Sequence, residues 1–198
     1  MIIISNPTAV ANEIKLIHSL FENGMELFHI RKPDFSEEEM KVFVTAIGLE
    51  YRNRLVLHSY HHLAEEFGIK RLHFSSTNRP DNFQKTEGFS ISTSTHSIEE
   101  FNALSEDFDY AFLSPVFKSI SKENYEPNVN WSTEIEKRIH FKTKLIGLGG
   151  IQSENIHQAM EIGFNNVALL GSIWNSNNPI ENFKSCQQIV FRFKYCGL

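Results

Sequence analysis

Short apolar runs alternate with amphipathic stretches along the whole chain. The runs predict strands at Ile2–Ser5, Leu27–Arg31, Leu55–Leu57, Arg71–Phe74, Phe89–Thr93, Tyr110–Leu113, Leu145–Leu148 and Asn166–Leu170. Most are too short and too uniformly apolar to show the alternation of a half-solvated strand, which suggests strands covered on both faces. Between them, helical spacing predicts helices at roughly Thr8–Phe21, Ser36–Glu50, His61–Phe67, Ile98–Glu106, Thr133–Arg138, Glu154–Ile162 and Ile180–Phe193. Ser36 followed by Glu39 reads as a capping box, and Ser97 with Glu100 repeats it. Gly24, Gly68 and Gly163 each sit just past a helix, and Pro179 suits a first helical turn. Asn78–Glu87 fits either a short helix or a loop. Eight strand-then-helix units at this spacing predict a closed parallel α/β structure, a (β/α)8 TIM barrel forming a single domain over residues 1–198.

Composition narrows the function classes. With 41% hydrophobic residues the chain can bury a sizeable core, and the 17 phenylalanines read as core filling. A net charge of −5 with no Lys/Arg block argues against nucleic acid as a partner. No apolar stretch approaches the ~20 residues that span a bilayer, so no membrane partner is expected either. The start, Met1-Ile2-Ile3-Ile4-Ser5, reads as a first strand and not as a signal peptide. The two cysteines, Cys186 and Cys196, both fall in the last helical stretch or tail, which predicts free thiols in a cytoplasmic protein.

The chemistry expected of such a barrel lies at the C-terminal ends of its strands. Two of those ends stand out: Ile146-Gly147-Leu148-Gly149-Gly150-Ile151 and Val167-Ala168-Leu169-Leu170-Gly171-Ser172-Ile173. Each is an apolar run ending in glycine, where backbone N–H groups can approach an anion closely and a following helix adds its positive end. The remaining ends carry His29 and Arg31, His58 and Ser59, His73 and Ser75, Ser94 and His96, then Ser114 and Pro115. This face is poor in carboxylates and rich in His, Ser and Gly, which suits an anionic ligand better than a hard metal ion. Arg31 can grip a phosphate with two parallel hydrogen bonds, or form a surface ion pair. Ser119-Ile120-Ser121-Lys122, on the longest irregular stretch (Lys118–Trp131), reads as a phosphate-gripping arm or as solvated loop. His29, His58, His61, His62, His73 and His96 read mainly as buried or pocket histidines, one of which can serve as acid or base; convergence on zinc is the minority reading.

Taken in order, these landmarks resemble the thiamine phosphate synthase superfamily, which also holds a thiazole tautomerase branch. The resemblance runs from Ile2 to about Phe183. It rests on Phe28-His29-Ile30-Arg31-Lys32-Pro33, Leu57-His58-Ser59, Leu72-His73-Phe74-Ser75, Ser92-Thr93-Ser94-Thr95-His96, Asp109-Tyr110 through Ser114-Pro115-Val116-Phe117, Ser119-Ile120-Ser121-Lys122, Gly149-Gly150-Ile151 and Gly171-Ser172-Ile173. It implies an enzyme, a transferase of thiamine biosynthesis, joining hydroxymethylpyrimidine diphosphate to thiazole phosphate with release of diphosphate. It further implies a thiazole-phosphate clamp at Gly149, Gly150, Gly171 and Ser172. Arg31, Ser119, Ser121 and Lys122 would hold the diphosphate, with Arg31, Lys122, His29 and His58 as catalytic candidates. His73, Ser94, His96, Ser114 and Pro115 would line the pocket, and Mg²⁺ would be the cofactor. The expected partners are small phosphorylated molecules, and a homodimer is allowed.

The sequence also departs from the family pattern. The two Asp positions that hold Mg²⁺ fall on Ser59 and about Asn78, and the metal ligands of this chain are unknown. The strand-two Lys is displaced to Lys32, with Pro33 in its place; a one-residue slip turns a side chain to the opposite face. The tautomerase branch needs no Mg²⁺, only an acid/base, and its usual His corresponds to Pro115 here. The alternatives are therefore a tautomerase-like proton-transfer enzyme, with His29, His58 or His73 as relocated base, and a non-catalytic thiazole-phosphate binder.

Overall fold

The computed structural model describes residues 1–80, 85–118 and 129–196. Eight parallel strands close into a barrel in sequence order, each hydrogen-bonded to the next and the last to the first. They are β1 (Ile2–Ile4), β2 (Leu27–Ile30), β3 (Leu55–Leu57), β4 (Arg71–Phe74), β5 (Ser90–Thr95), β6 (Tyr110–Leu113), β7 (Lys144–Gly147) and β8 (Asn166–Leu169). The helices are α1 (Glu13–Glu22), α2 (Glu37–Ile47), α3 (Leu63–Phe67), α4 (Ile98–Asn102), α5 (Trp131–Ile135), α6 (Ile156–Ile162), α7 (Gly171–Trp174) and α8 (Pro179–Cys196). A 3-10 turn over Leu49–Arg54 leads into β3.

Strand pleating sorts the core into two shells. Ile3, Phe28, Ile30, Leu55, Leu57, Ala111, Leu113, Leu145, Val167 and Leu169 face outward under the helices and join the main core. Ile2, Ile4, Tyr110, Phe112, Ile146 and Ala168 face inward and form a separate, smaller cluster. That inner cluster comes from β1 and β6–β8. The strands opposite bring His29, His73, Ser92 and Ser94; His73 bonds both serine hydroxyls, and the His29 ring packs edge-on against it. The barrel interior, filled by branched aliphatics in most such folds, is here aliphatic and aromatic on one side and imidazole-rich on the other.

The expected strands are found to within two residues at every end. The helices differ more. The helix expected over Thr8–Phe21 begins only at Glu13, because the Thr8 carbonyl accepts from Lys32 Nζ at 2.9 Å and from Asn6 at 3.1 Å instead of from a helical amide. The capping box at Ser36 is complete. At Ser97 only half of it forms: Ser97 Oγ accepts from the Glu100 amide, but the Glu100 carboxylate accepts from the His96 N–H. α7 follows β8 without a break and was not expected from the sequence. Its Trp174 Nε1 donates to the Ile4 carbonyl at 2.7 Å and pins the end of β8 to that of β1. Cys186 is a buried free thiol. No helix among the described residues is long and apolar enough to cross a membrane.

Candidate active site

A cavity of about 330 Å³ opens at the C-terminal ends of the strands. Arg31, His58, His73, Ser94, His96, Ser114, Gly149, Gly150 and Gly171 all lie on its wall, so sequence-predicted residues from seven strands, β2 to β8, converge on one place. Three do not reach the wall. Pro115 packs beside Gly149, whose added Cβ would stand 3.0 Å from the Pro115 Cα, and its carbonyl is turned to Trp131 Nε1. Ser172 is buried behind Gly171. His29 lies beneath His58, 0% exposed. Ser119, Ser121 and Lys122 lie outside the described residues.

The rim after β7 and β8 presents backbone amides to the cavity, unpaired among the described residues. Gly149 (φ 95°) and Gly150 (φ 67°) take left-handed backbone that a side chain would strain. Their carbonyls are already used: Phe117 N donates to Gly149 O at 3.0 Å, and Asn155 Nδ2 donates to Gly150 O at 2.8 Å. The N–H groups of Gly149, Gly150, Gly171 and Ser172 meet no acceptor among the described residues. β7 and β8 are register neighbours, Gly147 beside Val167, so the two turns stand side by side. The Ser172 hydroxyl is buried without a partner among the described residues, which adds a donor beside those amides. α7 is a single turn, so its dipole adds little to what the amides themselves offer.

On the opposite wall the histidines are fixed by their neighbours. His29 Nδ1 lies 2.9 Å from His58 Nε2, and His29 Nε2 lies 2.8 Å from the Tyr110 hydroxyl. His73 bonds Ser92 through Nδ1 and Ser94 through Nε2, both at 2.9 Å. Leu57 pairs with Leu72 between β3 and β4, so the next residues, His58 and His73, are neighbours and stack with centroids 4.1 Å apart. Burial, more than the neighbouring His73 charge, holds His29 well below its ordinary range. His58 is likewise depressed by burial and then by His73 and His29, and His73 is pushed down to about 3 by burial, then by His61 and Arg31. Burial raises the Tyr110 phenol to about 12. At neutral pH these four groups are uncharged.

His96 differs. Its Nδ1 lies 3.0 Å from the Ser114 carbonyl. A carbonyl only accepts, so Nδ1 carries a proton, and in the neutral tautomer this leaves the lone pair on Nε2. Arg31 is anchored through its backbone, its N–H donating to Ser5 Oγ at 2.8 Å, and no acceptor for its guanidinium occurs among the described residues. Lys32, one residue on, points away from the mouth into a buried pair with Glu13, as the slip in sequence predicts. Sequence reading missed Tyr110 and Ser92, whose position below the histidines depends on strand register.

Residues 1–173 match the model of a family described as thiamine monophosphate synthase. A thiamine-phosphate synthase of Caldicellulosiruptor saccharolyticus is 22% identical over 190 residues, covering 92% of this chain and 86% of the relative. One of Dictyoglomus turgidum is 23% identical over 193 residues, covering 91% and 84%. Among solved structures, a thiamine phosphate pyrophosphorylase of Bacteroides thetaiotaomicron superposes with a TM-score of 0.80 at 28% identity, over 97% of this chain and 98% of that one. A thiamine phosphate pyrophosphorylase of Pyrococcus furiosus superposes at 0.79 with 15% identity, over 96% and 95%, a likeness of fold alone.

Proposed function

The chain belongs to the thiamine monophosphate synthase family, and we propose that it binds a thiazole carboxylate phosphate at the β7–β8 rim and moves a proton on its ring. The phosphate would sit against the amides of Gly149, Gly150, Gly171 and Ser172, with Phe112 and Leu148 offering apolar surface to the ring. Arg31, across the cavity, would pair with the carboxylate. His96 Nε2 would take a proton from one ring position and return it at another, so that atoms balance without oxidant or co-substrate. The single observation that carries this reading is the His96 ring, held on the cavity wall by the Ser114 carbonyl. The tautomerase branch places its His at the position of Pro115; here an imidazole is brought to the same neighbourhood from the end of β5.

The donor set of the wall does not suit Mg²⁺. No Asp or Glu lines the cavity among the described residues, whereas Mg²⁺ binds through carboxylates, phosphate oxygens and water. At the other implied ligand position, the Asn78 Oδ1 already accepts from Ser75 Oγ at 2.7 Å. The synthase reaction is the second reading. The names of the relatives and the exposed Arg31 favour it, and Ser119, Ser121 and Lys122 would have to complete its diphosphate site.

Deuterium uptake from D2O into the thiazole carboxylate phosphate separates the two. The first reading expects exchange without Mg²⁺, and His96→Gln lowering it by roughly 10²–10⁴-fold while ligand affinity persists. Formation of thiamine phosphate on adding the pyrimidine diphosphate and Mg²⁺, with no exchange in its absence, would replace it by the synthase reading. Binding with neither activity would leave a binder, and no binding would end all three.

A further inference from the structure

His29, His58 and His73 occupy the interior of three consecutive strands or strand ends, where barrels ordinarily hold branched aliphatics. One ring nitrogen from each lies within 4.8 Å of the others. Among the described residues this is the only group of three His, Cys, Asp or Glu side chains brought so close. We infer that these three imidazoles form a site for a borderline divalent cation of the Zn²⁺ type, on the floor of the cavity and opposite the phosphate rim.

The argument rests on donor chemistry and geometry. Three neutral nitrogen donors with no carboxylate select Zn²⁺, Co²⁺ or Ni²⁺ over Mg²⁺ or Ca²⁺. His29 divides its two nitrogens usefully. Nε2 is held by the Tyr110 hydroxyl, the kind of outer partner that orients a metal-binding imidazole, and Nδ1 points at His58 Nε2. A tetrahedral Zn²⁺ with bonds of about 2.0–2.1 Å sets its ligand nitrogens about 3.3–3.4 Å apart. The 2.9 Å between His29 Nδ1 and His58 Nε2 therefore has to open by about 0.4 Å. His73 has to turn out of its stack on His58 and exchange one of its two serine hydroxyls for the cation, keeping the other. All three rings are already in the neutral form that ligates, so loading needs a shift of tautomer in the His29–His58 pair and no loss of a proton from either ring.

Three protein ligands leave the fourth position open. His58 and His73 line the cavity, so that position faces the ligand space. A cation there would polarise an oxygen of a bound ligand or lower the pKa of a bound water. This inference does not depend on the thiazole reading: a chain that bound metal and no thiazole phosphate would retain it.

The test uses the whole chain, stripped with a chelator, dialysed against Zn²⁺ or Co²⁺ and assayed for metal content. Co²⁺ also reports its ligands through its visible spectrum. The expected result is one equivalent per chain, a spectrum of low-coordinate nitrogen ligation, and no displacement by millimolar Mg²⁺. His58→Gln, at the least buried of the three, should weaken binding at least tenfold. Tyr110→Phe should weaken it less while keeping the stoichiometry. His157→Gln, a surface control, should bind as the parent does. Thermal melting of each metal-free variant checks that it folds, and the parent's Co²⁺ spectrum decides the matter without any variant. Absence of stoichiometric binding, a hexa-aqua-like Co²⁺ spectrum, or equal binding by a folded His58→Gln would overturn the inference.

Discussion

Replacing Lys32 by Met should destabilise the fold by about 3–4 kcal/mol at pH 7. Lys32 Nζ lies 2.7 Å from both carboxylate oxygens of Glu13 and 2.9 Å from the Thr8 carbonyl. The two side chains are 0% and 5% exposed, and the rings of Phe35 and Phe43 lie 5.3 and 5.0 Å from the ammonium. Burial raises the Glu13 carboxyl and lowers the Lys32 ammonium, while the bonds between them oppose both shifts. Removing one member of such a pair generally costs about 3–5 kcal/mol, because the other charge stays buried alone. Protonation of the orphan sets a ceiling. From its ordinary value of 4.5, protonating a carboxyl at pH 7 costs about 3.4 kcal/mol, at about 1.4 kcal/mol per pH unit. Beyond that Glu13 becomes neutral instead of staying charged. At roughly 2–4 °C per kcal/mol for a chain of this size, Tm should fall by about 6–16 °C.

Two further measurements make that reasoning refutable. In the Lys32→Met protein the folded-state pKa of Glu13 lies above its unfolded value, so the folded chain holds a proton that the unfolded chain has released. Its contribution is therefore fully present below about pH 4.5 and lost as pH rises, and the deficit against the parent should shrink on acidification by up to about 1.4 kcal/mol per unit. The double variant Lys32→Met/Glu13→Leu removes both charges and fills the site with apolar atoms beside Phe35 and Phe43. It should return to within about 1–2 kcal/mol of the parent, the remainder being the lost Lys32 bond to the Thr8 carbonyl, which keeps only its bond from Asn6. Urea denaturation of the three proteins, at pH 7 and pH 5.5, reads all of this. A single variant within about 1 kcal/mol of the parent, or a double variant no better than the single, refutes a coupled buried pair.

Two other substitutions probe separate parts of the molecule. Gly150→Ala would set a Cβ 2.7 Å from the Phe117 carbonyl carbon at a φ of 67°. It should destabilise the fold by about 1–3 kcal/mol and weaken binding of the thiazole phosphate at least tenfold by calorimetry; unchanged binding in a folded protein argues against the rim as phosphate site. Arg138→Lys should cost about 2–4 kcal/mol in urea, because the guanidinium serves the His140 carbonyl at 2.6 Å, the Asn165 side chain at 3.2 Å and the Thr143 carbonyl at 2.8 Å, which a single ammonium cannot reach together.

What the sequence made legible follows from how local each signal is. Strands were readable because burial on both faces leaves apolar runs that need no partner to be recognised, as in Leu55–Leu57 or Tyr110–Leu113. The start of α1 was not, because it is decided by a lysine on another strand that takes the Thr8 carbonyl. α7 has one turn and no periodicity to detect. The glycine turns were read as an anion rim from their composition alone, and the structure sets them side by side on the cavity wall. Pro115 and Ser172 were expected on the wall for the same reason of position, yet side-chain direction puts one against Gly149 and the other behind Gly171. Each histidine was placed at a strand end, but that His58 should stack on His73, with His29 beneath and Tyr110 holding it, is a property of register, which one sequence does not display.

The interior division has a consequence for how such a site changes. The amides that would hold a phosphate come from β7 and β8 and depend on backbone conformation: on Gly149 and Gly150 in left-handed φ, and on Asn155 and Phe117 occupying their carbonyls. The groups able to do chemistry come from β2 to β6 and depend on side-chain identity. A substitution at His29, His58 or His73 leaves the rim's backbone untouched, and a substitution that strains the rim leaves the imidazoles where they are. Backbone turns of this kind can therefore persist while the opposite wall carries Ser59 and Asn78 where the family pattern has carboxylates. That is why a rim matching the family pattern and a carboxylate-free cavity wall, among the described residues, occur together without contradiction. The fold gives the family, while ligand and reaction alike have to be argued from the groups that line the cavity.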